Sequence, residues 1–355
     1  MDMKTTKIAI ALAGSALILA AVPAARAAPC LVVTLTGTQS GPPLFKGQAG
    51  AGTLVSFGDD GNNCSAVRLQ FDAGRGTNMR LSQVGITPAQ LNAIFFTHMH
   101  SDHTEGFPDI MQHRWNFSSR EPKLDVVCAA DAASPLGFTL SCTKLAAHVA
   151  DPFIQSGEIA QRISEDKTRL PGGPADLANV ITFTPANAPQ PVWSSGEVKV
   201  SAIRSAHIAG HASFRVDTPA GSVVIGGDAG NDAPAPPRAS STSEQVEMLA
   251  KGVDIIVHST MHPAMGPDRD SGMPAPVYYR QAGAADLGAM AKRVGAKHLM
   301  LTHLAPSLGA VRHGPYKVPG GPFKEADYRK VVQESGFAGN IIVGTDLASI
   351  RLPAK

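Results

Sequence analysis

The sequence predicts an α/β fold, and three observations carry that prediction. Apolar runs of strand length recur at Ala93–Phe96, Val198–Ile203, Ser222–Gly226, Val253–Val257 and Lys297–Leu301. Helical patterns are interleaved with them near residues 243–251 and from about Ala282 to Val294. Most of the runs lead into a histidine or a carboxylate, and layered α/β folds place their ligand sites at such strand ends.

Taken in order, the first segment reads as an export signal. Lys4 and Lys7 precede an apolar stretch from Ile8 to Val22, and Ala25-Arg26-Ala27 offers a small-x-small cleavage site. The stretch falls short of the roughly 20 residues a bilayer span needs. Residues 1–27 are therefore expected to be removed, leaving residues 28–355 as one domain with a periplasmic or secreted location. No later stretch is apolar for long enough to span a membrane.

Leu31–Leu35, Thr53–Phe57 and Val67–Asp72 follow as short strands separated by turn residues such as Gly58-Asp59-Asp60-Gly61-Asn62-Asn63. Thr87-Pro88 opens a short helix. The apolar run Ala93–Phe96 then leads directly into Thr97-His98-Met99-His100. Residues 120–200 are rich in Pro, Gly and Ala, with weak helical periodicity except near 153–166, and read as an elaborated insertion. Order returns with the strands leading to His207, Asp228, His258 and His303.

The four cysteines, Cys30, Cys64, Cys128 and Cys142, form no C-x-x-C pair, which argues against a thiolate metal site. An even count in an exported chain predicts two disulfides. Of the three connectivities, the local one, Cys30–Cys64 with Cys128–Cys142, is preferred. Residues 1–27 carry three of the 31 basic and one of the 29 acidic residues, so the remainder is formally neutral. A nucleic-acid binder usually shows a basic excess.

The chemistry is concentrated in His98, His100, Asp102 and His103. Residues two apart on an extended segment point the same way, so His98 and His100 can reach one metal together. A turn after His100 aims Asp102 and His103 at a second. A lone histidine is usually a solvated side chain, but four ligand types at this spacing beyond a strand end are not. His207, Asp228 and His303 complete two three-residue sets with a shared carboxylate. Imidazole and carboxylate without thiolate suit two Zn²⁺, with Mn²⁺ or Fe as alternatives.

These residues resemble the metallo-β-lactamase superfamily. The match consists of Thr97-His98-Met99-His100-Ser101-Asp102-His103, the upstream Phe71-Asp72-Ala73-Gly74 turn, Gly226-Gly227-Asp228 and Leu301-Thr302-His303. It looks most like the ribonuclease-Z-like branch, which includes exported arylsulfatase-like proteins. There the third histidine stands eight residues before an arginine that follows an aromatic; His207 with Phe214-Arg215 fits, and His211 does not. The resemblance implies a four-layer αββα sandwich. It assigns His98, His100 and His207 to one metal, Asp102, His103 and His303 to the other, and Asp228 to both. His258 matches a proton-donor position, although the branch has His-Glu-Ala where this chain has His258-Ser259-Thr260. Asp72 is read as a structural carboxylate near the site.

Two such cations lower the pKa of bound water from 15.7 to roughly 7, giving a hydroxide nucleophile at neutral pH. Asp102 is expected to orient it. Ribonuclease Z proper carries a long tRNA-binding arm between the third histidine and the bridging aspartate, whereas His207 and Asp228 are only 20 residues apart here. With export and near-zero charge, this predicts a small-molecule sulfate or phosphate ester substrate and no nucleic acid. The alternative is β-lactamase or lactonase activity on cyclic carbonyls. The di-iron redox members carry glutamate where His100 stands, and a non-catalytic metal-binding protein would have lost a ligand; none is missing.

Overall fold

The computed structural model describes residues 1–2, 27–118, 120 and 122–353; the expected signal segment lies almost entirely outside them. Two seven-stranded sheets make up the frame. In chain order their strands are β1 (Pro29–Gly37), β2 (Gly52–Asp59), β3 (Val67–Phe71), β4 (Ala93–Phe95), β5 (Leu124–Ala129), β6 (Ala178–Phe183), β7 (Gln190–Ser195), β8 (Val198–Arg204), β9 (Ala212–Thr218), β10 (Gly221–Ile225), β11 (Ile255–Met261), β12 (His298–Ala305), β13 (Asn340–Val343) and β14 (Ser349–Leu352). The first sheet runs β14-β1-β2-β3-β4-β5-β6 and the second β13-β12-β11-β10-β9-β8-β7. In each, one half is antiparallel and the other parallel, the parallel pairings running from β3 to β6 and from β10 to β13.

Strand periodicity explains the layering. In β4, Phe95 enters the core between the sheets, while Ile94 and the following Phe96 pack on the outer face. In β11, Ile255 and Val257 face inward and Ile256 outward; in β12, Met300 faces inward and Leu299 and Leu301 outward. Strands buried on both faces read as unbroken apolar runs, as these do. The inner core is built around Phe71, Phe95 and Phe214: the first two rings stack at 4.6 Å, and Phe214 meets Phe95 edge-on at 5.5 Å. Outside the first sheet, the helix Phe107–Ser118 buries Phe107, Ile110, Met111 and Trp115. Outside the second, the helices Ala284–Val294 and Glu325–Glu334 cover the parallel strands, and Glu244–Leu249 packs on the antiparallel β8 and β9. The result is the αββα sandwich.

Two details differ from the sequence reading. The helix expected after Thr87 is a single 3₁₀ turn, Pro88–Gln90, closed by the Gln90 side chain accepting from the Thr87 N–H at 2.9 Å. The chain has no room for more, because β4 begins at Ala93. Residues 120–200, read as an insertion, supply β5 and β6 to the first sheet and β7 to the second, with three short helices between β5 and β6.

Both disulfides form in the local pairing, Cys30–Cys64 and Cys128–Cys142. The first ties β1 to the turn after β2, where Asp59 caps the 3₁₀ turn Asp60–Asn62. The C-terminal region is fastened to the N-terminal one by Asp346. Its carboxylate accepts from the Thr38 N–H and hydroxyl, the Ala49 N–H and the Arg80 guanidinium at 2.7–3.0 Å. No helix among the described residues is long and apolar enough to cross a membrane.

Phe214 touches both sheets' aromatic core and is fully buried. Phe214→Ala is expected to cost about 3–5 kcal/mol in urea-induced unfolding, read as a lower midpoint at an unchanged slope.

Candidate metal centre

The parallel strands of both sheets deliver their following residues to one rim. After β4 the chain stays extended through His98 and His100, then turns into the short helix Ser101–Thr104, which carries Asp102 and His103. His100 precedes that helix, and its carbonyl accepts from the Thr104 hydroxyl at 3.1 Å. From the second sheet, β10 ends in Gly226-Gly227-Asp228. Gly227 adopts φ +60°, and a Cβ there would lie 2.9 Å from Thr97 and 3.0 Å from His211, so only glycine lets this turn pass. His303 is presented from inside β12. The β11–β12 register pairs Ser259 with Thr302 and Thr260 with Leu304, which leaves His303 as a bulged residue at φ +47°. His207 comes from the loop between β8 and β9.

All seven expected ligands therefore converge. His98 Nε2 lies 2.9 Å from His100 Nδ1, and His207 Nε2 lies 3.3 Å from the same atom. His303 Nε2 lies 3.0 Å from Asp102 Oδ2, and His103 Nε2 lies 3.7 Å from it. Asp228 stands between the two groups. Its Oδ1 is 3.6 Å from His103 Nε2 and 3.5 Å from His303 Nδ1, while its Oδ2 is 3.7 Å from His207 Nε2. Three ligand sets close up in this way: His98, His100 and His207; His98, His103 and Asp228; and Asp102, His103 and His303.

A buried carboxylate orients two of the rings. Asp72, in the left-handed region at φ +53°, accepts from the Thr97 N–H at 2.8 Å and from the Thr97 hydroxyl at 2.8 Å. That hydroxyl has spent its only proton, so at 3.0 Å it accepts from His98 Nδ1–H. His98 Nε2 is thereby a bare lone pair. Asp72 also takes the His103 Nδ1 proton at 2.8 Å, which frees His103 Nε2 in the same way.

The choice of His207 over His211 has a structural reason. His211 Nε2 accepts from the Asp228 N–H at 3.2 Å, so its Nδ1 must donate, and it does so to Ser205 Oγ at 2.8 Å. Ser205 then donates to Ser213 at 2.7 Å, and Ser213 to the Gly226 carbonyl at 2.8 Å. With both ring nitrogens engaged, His211 serves as an anchor for the Gly226–Asp228 turn. Gln281 adds a further contact, its Nε2 donating to Asp228 Oδ2 at 3.3 Å. Neither His211 nor Gln281 carries a sequence signal for this role.

A cavity of about 620 Å³ opens on the cluster and is lined by His100, Asp102, His207, Asp228, His303, Arg280, Tyr316 and others. His258 is not among the lining residues. It is buried, its Nδ1 donates to the Ser259 carbonyl at 2.8 Å, and its ring packs so closely on Gly226 that a Cβ there would lie 2.1 Å away. The His258 ring thus lies against Gly226 and outside the residues that line this cavity. His113 and His262 also lie away from the cavity; His262 stacks on Phe323 at 4.0 Å. His313 does line it, and burial lowers its imidazole to about 4.

The electrostatics fit a cation. Burial pushes His98 and His211 well below the usual imidazole range and His207 down to about 3, keeping them neutral. Burial would do the same to His103, but Asp72 and Asp228 outweigh it and raise it well above the usual imidazole range, favouring a second proton on Nε2, the position a metal would take. Burial would raise Asp228, yet His303 and His103 keep it ionised. His103 Nε2 and Asp228 Oδ1 are buried without a hydrogen-bond partner. A cation in place of the His103 Nε2 proton would satisfy both atoms together with the neutral His98 and His207 rings. The donor set thus fits metal ions.

This fold and site define a metallo-β-lactamase-fold hydrolase. Solved structures share the frame: YhfI from Bacillus subtilis, a metallo-β-lactamase fold protein, at a TM-score of 0.56 and 17% identity, covering 91% of this chain and 99% of that one; and human tRNase Z, short form, at 0.56 and 15%, covering 91% and 100%. A family model described as Anti-Pycsar protein Apyc1 matches residues 62–264, and the chain belongs to that family. Ribonuclease Z of Mycobacterium bovis (strain BCG / Pasteur 1173P2) is 25% identical over 326 residues, covering 91% of this chain and 98% of the relative.

That near-full-length likeness overturns the expectation of a small-molecule ester substrate with no nucleic acid. A short span between His207 and Asp228 does not set a chain apart from proteins called ribonuclease Z. Net charge is a sum over the whole surface, whereas an anionic substrate is met locally, so near-zero charge excludes nothing.

Asp72→Ala removes the acceptor that sets two ring tautomers. Its affinity for divalent metal is expected to fall roughly 10–100-fold, measured by competition against a chromophoric chelator, with the far-ultraviolet circular dichroism unchanged.

Proposed function

We propose that this chain is a metal-dependent phosphodiesterase acting on RNA phosphodiester bonds. In this reading two Zn²⁺ ions are held by His98, His100 and His207 and by Asp102, His103 and His303. The observation that carries it is Asp228, one carboxylate with its two oxygens turned toward the two histidine sets. Zinc suits ligands of imidazole and carboxylate without thiolate. When bound, the cations lower the pKa of coordinated water to roughly 7 and offset the charge that develops on the substrate oxygens.

The chain's own groups divide the remaining work. Asp102 lines the cavity and is held ionised, because the hydrogen bond from His303 and the neighbouring His103 outweigh its burial; it is placed to accept a hydrogen bond from the attacking water and orient it. Among the described residues, Arg280 is the one arginine or lysine lining the cavity, and it would pair with the substrate's phosphate oxygens. RNA, rather than another phosphodiester, is supported by the ribonuclease Z relatives that span nearly all of both chains.

Purified protein loaded with zinc is expected to carry about two metals per chain and to cleave an RNA oligonucleotide and bis(p-nitrophenyl) phosphate. Cleavage should stop with a chelator. With His98→Ala it should fall by more than the roughly 10–100-fold expected for an orienting residue. Turnover of p-nitrophenyl sulfate, a lactone or a β-lactam with both diesters untouched would sink the reading in favour of the arylsulfatase-like or lactamase alternatives.

Export is part of the same proposal. Cys30–Cys64 and Cys128–Cys142 suit an oxidising compartment, where such bonds persist. Mass spectrometry of the protein recovered from the periplasm or medium of its host should give a chain beginning at Ala28. An intact Met1 terminus, with the protein in the cytosol, would refute it.

A further inference from the structure

The ligand cluster is open on two sides. The cavity described above faces Asp102 and His303. A second, of about 900 Å³, lies beyond the His100 and His207 rings, which line both cavities. The chemistry assigned so far makes no use of it.

Its outer wall is a small hairpin in which Ala132–Ala133 pairs with Thr139–Leu140. The hairpin tip displays Leu136 and Phe138, which are 83% and 51% exposed. The tip is held in shape despite that exposure. The Cys128–Cys142 disulfide closes the loop at its base. Within it, the Ser134 N–H donates to the Phe138 carbonyl at 2.7 Å, the Gly137 N–H to the Ser134 carbonyl at 2.9 Å, and the Ser141 hydroxyl to Asp131 at 2.6 Å. The floor is made of small residues: a Cβ on Gly210 would come within 3.0 Å of the Ala132 side chain. The charges at the edge are already engaged, Arg204 with Asp232 at 2.7 Å and Asp131 with Ser141. What remains is a roomy apolar and aromatic surface, suited to a flat uncharged ring and poorly suited to a phosphate.

We propose that this second cavity is a nucleobase subsite, with Phe138 as the stacking face for the base on one side of the scissile phosphodiester. The inference rests on the phosphodiesterase reading above and specifies how that site takes its substrate. A diester has two arms. Two cavities that meet at His100 and His207 give each arm its own space, with the phosphorus at the partition. Base–aromatic stacking tolerates every base, so the subsite grips RNA without reading its sequence.

The test compares two diesters in the full-length, zinc-loaded protein: an RNA oligonucleotide, and the same oligonucleotide made of abasic residues, which has no ring to stack. In Phe138→Ala, the ratio of kcat/KM for the oligonucleotide to that for the abasic diester falls about tenfold, mostly through KM; Phe138→Tyr restores it. Ala132→Trp, which fills the cavity from its floor, lowers the same ratio and serves if Phe138→Ala folds poorly. Ratios within twofold of the parent protein in both variants overturn the subsite. A parent protein inactive on both diesters overturns the phosphodiesterase reading instead, so the two failures are distinct.

Discussion

The Asp72 carboxylate is the constraint on which the metal centre depends. It sits at the end of β3 in a left-handed backbone position that a non-glycine residue adopts only at a cost. From there it holds the first residue of the ligand loop through the Thr97 N–H, the His98 ring through the Thr97 hydroxyl, and the His103 ring directly. Both ends of the ligand loop, Thr97–His98 and His103, are thereby locked to one carboxylate on another strand. The strain at Asp72 is offset by hydrogen bonds that fill its oxygens, and the return is two imidazoles whose tautomers are set in advance.

The sheets make this arrangement available. Each carries its parallel strands on one side, and the carboxyl ends of β3 and β4 face those of β10 and β12 across the core. One sheet alone could offer His98, His100, Asp102 and His103, but not the shared carboxylate. Asp228 comes from the other sheet, on a turn that only glycine at 227 permits. The ligand set is therefore a property of how the sheets pack, and the Phe71–Phe95–Phe214 cluster beneath it fixes their spacing.

Much of this was legible in the sequence, and the reasons are specific. The buried strands announce themselves as apolar runs because both of their faces are covered, and the ligands follow because each stands just beyond or near the end of such a run. The local disulfide pairing was readable from the spacing of four cysteines. Other features left no trace. The bulge that turns His303 into the site is one extra residue in an otherwise regular strand. Asp72's grip on two rings depends on contacts across 25 and 31 residues. The packing of the His258 ring on Gly226 depends on a contact across 32 residues. Residues 120–200 looked like an insertion because β5 and β6 are separated by a long, weakly periodic crossover of short helices, which masks the sheet strands on either side of it. The substrate reading failed for a different reason: it weighed an absent arm and a whole-chain charge, and neither measures what the cavity walls recognise.

The pairing of β1 with β14 bears on how the chain is made. Leu31 lies opposite Leu352, so the first strand to emerge from the ribosome waits for nearly the last before that flank of its sheet is covered. Asp346, which fastens Thr38, Ala49 and Arg80, arrives equally late. Throughout elongation β1 therefore carries an open edge, and the nascent chain is a poor candidate for early, stable closure. A chain that seals itself only at the end of synthesis stays threadable until then. The export proposed above would need a chain that can still be threaded in this way.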